Sequence, residues 1–205
     1  MNYLAHLSLS HRSTHALVGN LMGDFRKHIQ AAKLPEGVLR GIENHCRIDK
    51  FTDNHPEIRN LKNVFSNQRR RFAGIIMDVA FDHFLSCHWH EYYQEDRRIF
   101  IDYAYTCLRR GACLMPPRMQ HAVHSMITED WLGSYADLSG IAVSLNRMSQ
   151  RIRFQNKLYG AVEEIQANYA VLDRGFLEFY PQLIAYINDL SGMCNADHQR
   201  MEASA

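Results

Sequence analysis

Two stretches of this chain that read as apolar helices carry acids and histidines on the side that should enter the core. In 35–52, Val38, Ile42, Cys46 and Asp49 recur at helical spacing, with His45 and Asp53 beside them. In 72–90, Ile75, Asp78, Asp82 and Leu85 share a face, and His83 flanks it next to Ile76 and Val79. Side chains three or four residues apart lie on one face of a helix, one turn from each other. Burying an unpaired carboxylate is costly. Two such helices must therefore pack around positive charge, supplied by arginines such as Arg47 and Arg59 or by a metal.

The rest of the chain follows the same period. Helices are expected near 13–22, 35–52, 56–70, 72–90, 97–114, 117–126, 128–137, 139–150, 157–173 and 175–190. Pro35-Glu36 and Pro56-Glu57 suit first-turn positions, where an acid meets the positive end of the helix dipole. Ser13, Thr128 and Ser139 each precede an apolar-periodic stretch and are candidate N-caps. No Asn-Gly or Asp-Gly hairpin turn and no long alternating β-branched run is present. The expectation is an all-α, single-domain helical bundle over 1–191, with a frayed tail at 192–205 that lacks an apolar face.

The donor set points to chemistry. Imidazoles and carboxylates without paired thiolates suit a hydrolytic divalent-metal centre better than a structural zinc. The five cysteines form no C-x-x-C pair and read as reduced thiols. With 23 basic and 22 acidic residues, net charge +1, there is no global field for nucleic acid. No run approaches a membrane span, and the start does not read as a signal peptide. A cytoplasmic protein is expected. His6 and Asp24 stand in apolar sequence upstream and are the nearest further candidates for the site. His11, His15, His28, His88 and His90 have no carboxylate patterning and are expected in surface or core roles.

Several motifs together resemble one family. They are Asn2-Tyr3-Leu4-Ala5-His6-Leu7, the run Gly19 to Phe25, the run His45 to Asp53, and Asp78-x-x-x-Asp82-His83-Phe84-Leu85. Weaker matches continue at Glu129 to Leu132, Arg147 to Ser149 and Phe179 to Pro181, so the likeness spans nearly the whole chain. This pattern resembles the acyl-carrier-protein phosphodiesterases, a family distantly similar to the HD-domain phosphohydrolases. Cys46 departs from it, standing where a basic residue is expected.

The resemblance implies an HD-phosphohydrolase-like fold and a metal-dependent hydrolase that removes the 4′-phosphopantetheine arm from the serine of holo-acyl carrier protein. It implies a divalent ion, Mn²⁺ foremost, with Mg²⁺ or Fe²⁺ as alternatives. His6, Asp24, His45, Asp82 and His83 are the expected metal ligands. Asp49 and Asp78, one turn from ligands, are expected as ligands, as a water-orienting base or as supporting carboxylates. Asp53 is expected as a helix cap or supporting group. The catalytic set is thus Asp24, His45, Asp49, Asp78, Asp82 and His83. Arg26, Lys27, Arg47, Arg69, Arg70 and Arg71 are candidates for phosphate contact or for docking the acidic carrier protein, with Arg147, Arg151 and Arg153 as further ones. Two other readings fit the same residues: an HD-type phosphohydrolase of nucleotides or other small phosphoesters, and a non-catalytic helical module whose acids form a structural network.

Overall fold

The helical periodicity resolves into twelve α-helices in the computed structural model, which describes residues 1–26, 29 and 31–202. Lys27 and His28 lie outside the described residues. In chain order the helices are α1 Tyr3–Ser8, α2 Thr14–Met22, α3 Glu36–Asn54, α4 Pro56–Leu61, α5 Ala73–Cys87 and α6 Trp89–Tyr92. They continue as α7 Arg97–Arg110, α8 Pro117–Thr128, α9 Trp131–Ser134, α10 Leu138–Arg151, α11 Val162–Ala167 and α12 Tyr169–Glu202. No strand occurs among the described residues, so the all-α expectation holds. One continuous apolar core runs from Met1 to Ile187. No helix among the described residues is long and apolar enough to cross a membrane.

Helix starts follow local chemistry in part. The Ser13 hydroxyl accepts from the Ala16 N–H and caps α2. Pro56 occupies the first turn of α4, and His55 Nδ1 accepts from the Glu57 N–H as its cap. Thr128 and Ser139 do not cap: Thr128 ends α8, and Ser139 lies inside α10 behind Asp137. The expected helix over 56–70 stops at Leu61. Phe65 adopts extended backbone to enter the core, and Glu164 takes the Ser66 N–H and hydroxyl. The expected break near Gly175 is absent, because the glycine serves packing: a Cβ there would sit 2.4 Å from Leu61 Cδ1. The helix α12 runs through both Gly175 and Pro181 to Glu202.

The buried faces differ from the simple stripes. On α3 the buried positions are Val38, Gly41, His45, Ile48 and Thr52, so His45 rather than Cys46 points inward. The helix α5 is buried on most of its circumference, with Ile75, expected inward, left exposed. Helices α2 and α3 approach closely through glycines. A Cβ on Gly19 would lie 2.1 Å from the Val38 carbonyl oxygen, and one on Gly41 would lie 2.5 Å from that of Ala16. This contact carries the C-terminal end of α2, with Asp24 just beyond it, to the middle of α3.

Candidate metal centre

Three segments converge at one point. The short helix α1 supplies His6, and α3 supplies His45 and Asp49 one turn apart. The 3-10 turn Gly23–Phe25 that follows α2 supplies Asp24. The imidazoles of His6 and His45 stack with centroids 4.1 Å apart and planes inclined by 20°. Nε2 of His6 lies 3.1 Å from Asp49 Oδ1, and Nε2 of His45 lies 3.0 Å from Asp49 Oδ2. Asp24 Oδ1 is 3.7 Å from His45 Nε2. One potential ligand atom from each of His6, His45 and Asp49 falls within a 4.8 Å span. The histidines are 2% and 3% exposed, the Asp49 and Asp24 side chains 42% and 49%. The cluster is therefore walled by imidazole inside and open to solvent on its carboxylate side.

A chain of hydrogen bonds fixes the tautomer of His6. The Ser10 hydroxyl donates to the His6 carbonyl, so its oxygen accepts from Asn20 Nδ2. That leaves Asn20 Oδ1 facing His6 Nδ1 at 3.1 Å, where only an N–H can meet it. Burial lowers the basicity of His6, which favours the neutral ring. Its Nε2 then presents a lone pair to the Asp49 carboxylate, and this buried atom has no hydrogen-bond partner despite the short distance. Two electron-rich atoms 3.1 Å apart are stable with a cation between them. The donors are those a divalent ion takes from nitrogen and oxygen, and Asn20 orients His6 as outer-shell partners of metal-bound histidines do. The residues fit a metal.

Close approach also shapes the second imidazole. A Cβ on Gly23 would lie 2.1 Å from His45 Cδ2, so only glycine lets the α2 end cover this ring. His45 Nδ1 is buried with no hydrogen-bond partner. Beside it, Arg26 donates from Nη1 to Cys46 Sγ at 3.1 Å and from Nε to the Gly23 carbonyl. The unexpected cysteine thus serves as acceptor for one of the candidate phosphate-binding arginines.

The remaining candidates have other partners. Asp82 is 0% exposed and accepts from the N–H groups of Leu4 and Ala5, at 2.8 and 3.1 Å. It caps the first turn of α1 from another helix. Burial pushes its carboxyl up to about 7, against the opposing pull of those two amides. Asp78 pairs with the α-ammonium of Met1 at 2.8 Å. The His83 Nδ1–H donates to the Tyr135 carbonyl, and its Nε2 accepts from the Tyr169 hydroxyl, both at 3.0 Å. Asp82, Asp78 and His83 therefore secure α1 and α5, and the structure does not bring them into the His6–His45–Asp49 group. Asp53 lies at the exposed end of α3, and the cap of α4 is His55 instead.

Of the arginines, Arg47 pairs with Glu43 on its own helix and Arg59 donates to Asn54, so neither neutralises the acid stripes as the alternative to a metal required. Arg69 is held by Glu164 and by the carbonyls of Lys157 and Tyr159. Arg71 lies over the Phe154 ring, its Cζ 5.8 Å from the centroid, and Arg70 is exposed. Sequence reasoning gave no role to Ser10, nor to Asn20 and Gly23, although these two lie in the matched run Gly19 to Phe25. The available signal was Asn20 itself, a polar residue amid apolar α2 that turns out fully buried.

The family model described as acyl carrier protein phosphodiesterase matches residues 1–183. Proteins named acyl carrier protein phosphodiesterase from Salmonella agona (strain SL483) and Salmonella newport (strain SL254) are each 37% identical over 186 residues. Each match covers 90% of this chain and 96% of the relative. No solved structure is significantly similar. A match over most of the length of both chains places this protein in the acyl carrier protein phosphodiesterase family.

Proposed function

We propose that this protein is a metal-dependent phosphodiesterase that hydrolyses the bond between 4′-phosphopantetheine and serine in holo-acyl carrier protein. The observation that carries the reading is the convergence of His6, His45 and Asp49 beside Asp24 in a member of this family. His6 Nε2, His45 Nε2 and carboxylate oxygens of Asp49 and Asp24 are the proposed ligands. Mn²⁺ is the proposed ion, and Mg²⁺ and Fe²⁺ suit the same donors. A divalent ion in such a set lowers the pKa of water and offsets charge on phosphoryl oxygens.

The protein's own groups supply the rest. Asn20 holds His6 in the tautomer that aims its lone pair at the cluster. The stack of His6 on His45 closes the inner side, so substrate enters from the solvent side, where Asp24 and Asp49 are half-exposed. The second carboxylate oxygen of Asp24 is the proposed group to orient the attacking water. The water oxygen bonds to phosphorus, the bond from phosphorus to the serine oxygen breaks, and that oxygen leaves with a proton. The products are the apo carrier protein and 4′-phosphopantetheine. The exposed Arg70 and Arg71 are proposed to raise the association rate with the acidic carrier.

The test is a gel-shift assay on holo-acyl carrier protein with Mn²⁺, with EDTA and without addition. Mn²⁺-dependent conversion to the apo form, abolished by EDTA, is expected. No conversion by protein that binds Mn²⁺ would overturn the substrate, and absence of Mn²⁺ uptake would overturn the metal centre.

A further inference from the structure

Charge is unevenly placed on this chain. Segments 62–77 and 138–162 contain no aspartate or glutamate, yet they hold eight of the 23 Lys and Arg residues of a protein with net charge +1. The fold brings the two segments together. Arg69 Nε donates to the Lys157 carbonyl at 3.0 Å, and its Nη2 to that of Tyr159 at 3.1 Å. Phe154 stacks on Phe72 with centroids 6.4 Å apart, and Arg71 Cζ lies 5.8 Å from the centre of the Phe154 ring. Arg70, Arg71, Arg153 and Lys157 are exposed, and none has a carboxylate partner among the described residues.

The same surface holds aromatic rings in water. Phe154 is 58% and Tyr159 70% exposed, and they are the only exposed aromatic side chains among the described residues. The loop that presents them is pinned. Leu158, between them, is fully buried. Asn156 Nδ2 donates to the carbonyls of Ser149 and Phe154, and the Gly160 N–H donates to Asn146 Oδ1. Apolar side chains grouped in solvent and rimmed by polar groups mark a contact surface.

This surface flanks the candidate centre. The turn Arg70–Phe72 leads directly into α5, whose Gly74 and Asp78 border one small cavity with Asp53 of α3. Asp53 is one helical turn, about 6 Å, beyond Asp49. Asp78 also holds the α-ammonium of Met1 at 2.8 Å, at the start of the segment that carries His6.

We infer that Phe154 and Tyr159 are the apolar anchors of a docking surface for an acidic protein, with Arg70, Arg71, Arg153 and Lys157 as its cationic rim. This rests on the proposed function, for which that protein is the carrier bearing the arm. Rim charge speeds encounter, whereas aromatic anchors buried on contact set how long a complex lasts. Cations and rings also suit single-stranded nucleic acid, but the net charge of +1 and the family favour an acidic protein.

The experiment titrates labelled apo-acyl carrier protein, which lacks the arm and so reports docking alone, with the protein and follows fluorescence anisotropy. Phe154→Ala, Tyr159→Ala and Lys157→Glu are compared, and thermal denaturation checks each fold. Each aromatic variant is expected to weaken binding about tenfold or more, with Tyr159→Phe recovering most of the loss. Lys157→Glu should weaken binding at low salt and converge on wild type at high salt. With holo-acyl carrier protein, KM should rise and kcat change less. Equal binding by wild type, Phe154→Ala and Tyr159→Ala would overturn the surface, as would no binding by wild type. An affinity for a single-stranded oligonucleotide that matches the affinity for the carrier would also overturn it. Binding that depends on the aromatics, without hydrolysis, would leave the surface standing and overturn the proposed reaction. Hydrolysis indifferent to both aromatics would do the reverse.

Discussion

Replacing Asp82 by alanine should destabilise the fold by about 2–4 kcal/mol. The carboxylate is fully buried and is the acceptor for the Leu4 and Ala5 N–H groups. Its removal orphans both, at roughly 1–3 kcal/mol each, and water entering the vacated space recovers part of the loss. An ordinary side-chain cap is worth about 1 kcal/mol, so two buried amides should exceed it. The pH dependence is a sharper signature. Burial raises the Asp82 carboxyl to about 7 in the folded protein, from about 3.9 in an unfolded chain. The folded state holds this proton more tightly, so the stability it contributes is fully present below about pH 4 and is lost as pH rises through about 7. Asp82→Ala lacks that titration. The stability gap to wild type is therefore widest below about pH 4 and narrows toward about pH 8. Urea unfolding followed by circular dichroism at several pH values measures it. A variant as stable as wild type at pH about 5, yet unable to bind metal or turn over substrate, would refute the reasoning and place Asp82 in the chemistry.

Further tests address the centre and its surroundings. Gly23→Ala should push the His45 ring aside, costing about 1–3 kcal/mol by overpacking and weakening Mn²⁺ binding, both readable by thermal denaturation and metal titration. Asn20→Ala frees the His6 tautomer and should weaken Mn²⁺ about 10- to 100-fold by calorimetry; unchanged affinity would contradict the assigned role. Arg69→Ala should lower Tm, because Arg69 ties Glu164 to the 157–159 loop. Arg70→Glu should leave Tm in place while raising KM for holo-acyl carrier protein at low salt, with little effect on a small phosphodiester. Equal loss on both substrates would count against docking.

Periodicity made the helical class legible throughout, because the three-to-four-residue repeat reports local geometry. Boundaries failed where a tertiary contact outweighed local preference. Phe65 leaves the helix to enter the core, and Gly175 continues one because Leu61 needs the space. The short α1 escaped notice since its first-turn amides are met by Asp82, far along the chain.

For the site, sequence alone determined that His45 and Asp49 share one helical face a turn apart, and which donor types were available. Only the tertiary structure decided that His6 meets that pair and that Asn20 fixes its ring. It also decided that Asp82 and His83 turn to a helix end, a carbonyl and a phenol. The spacing of a stripe is a local property of the backbone. The partner that satisfies each buried polar group depends on which helices meet, and here close contact through Gly19, Gly23 and Gly41 sets that meeting.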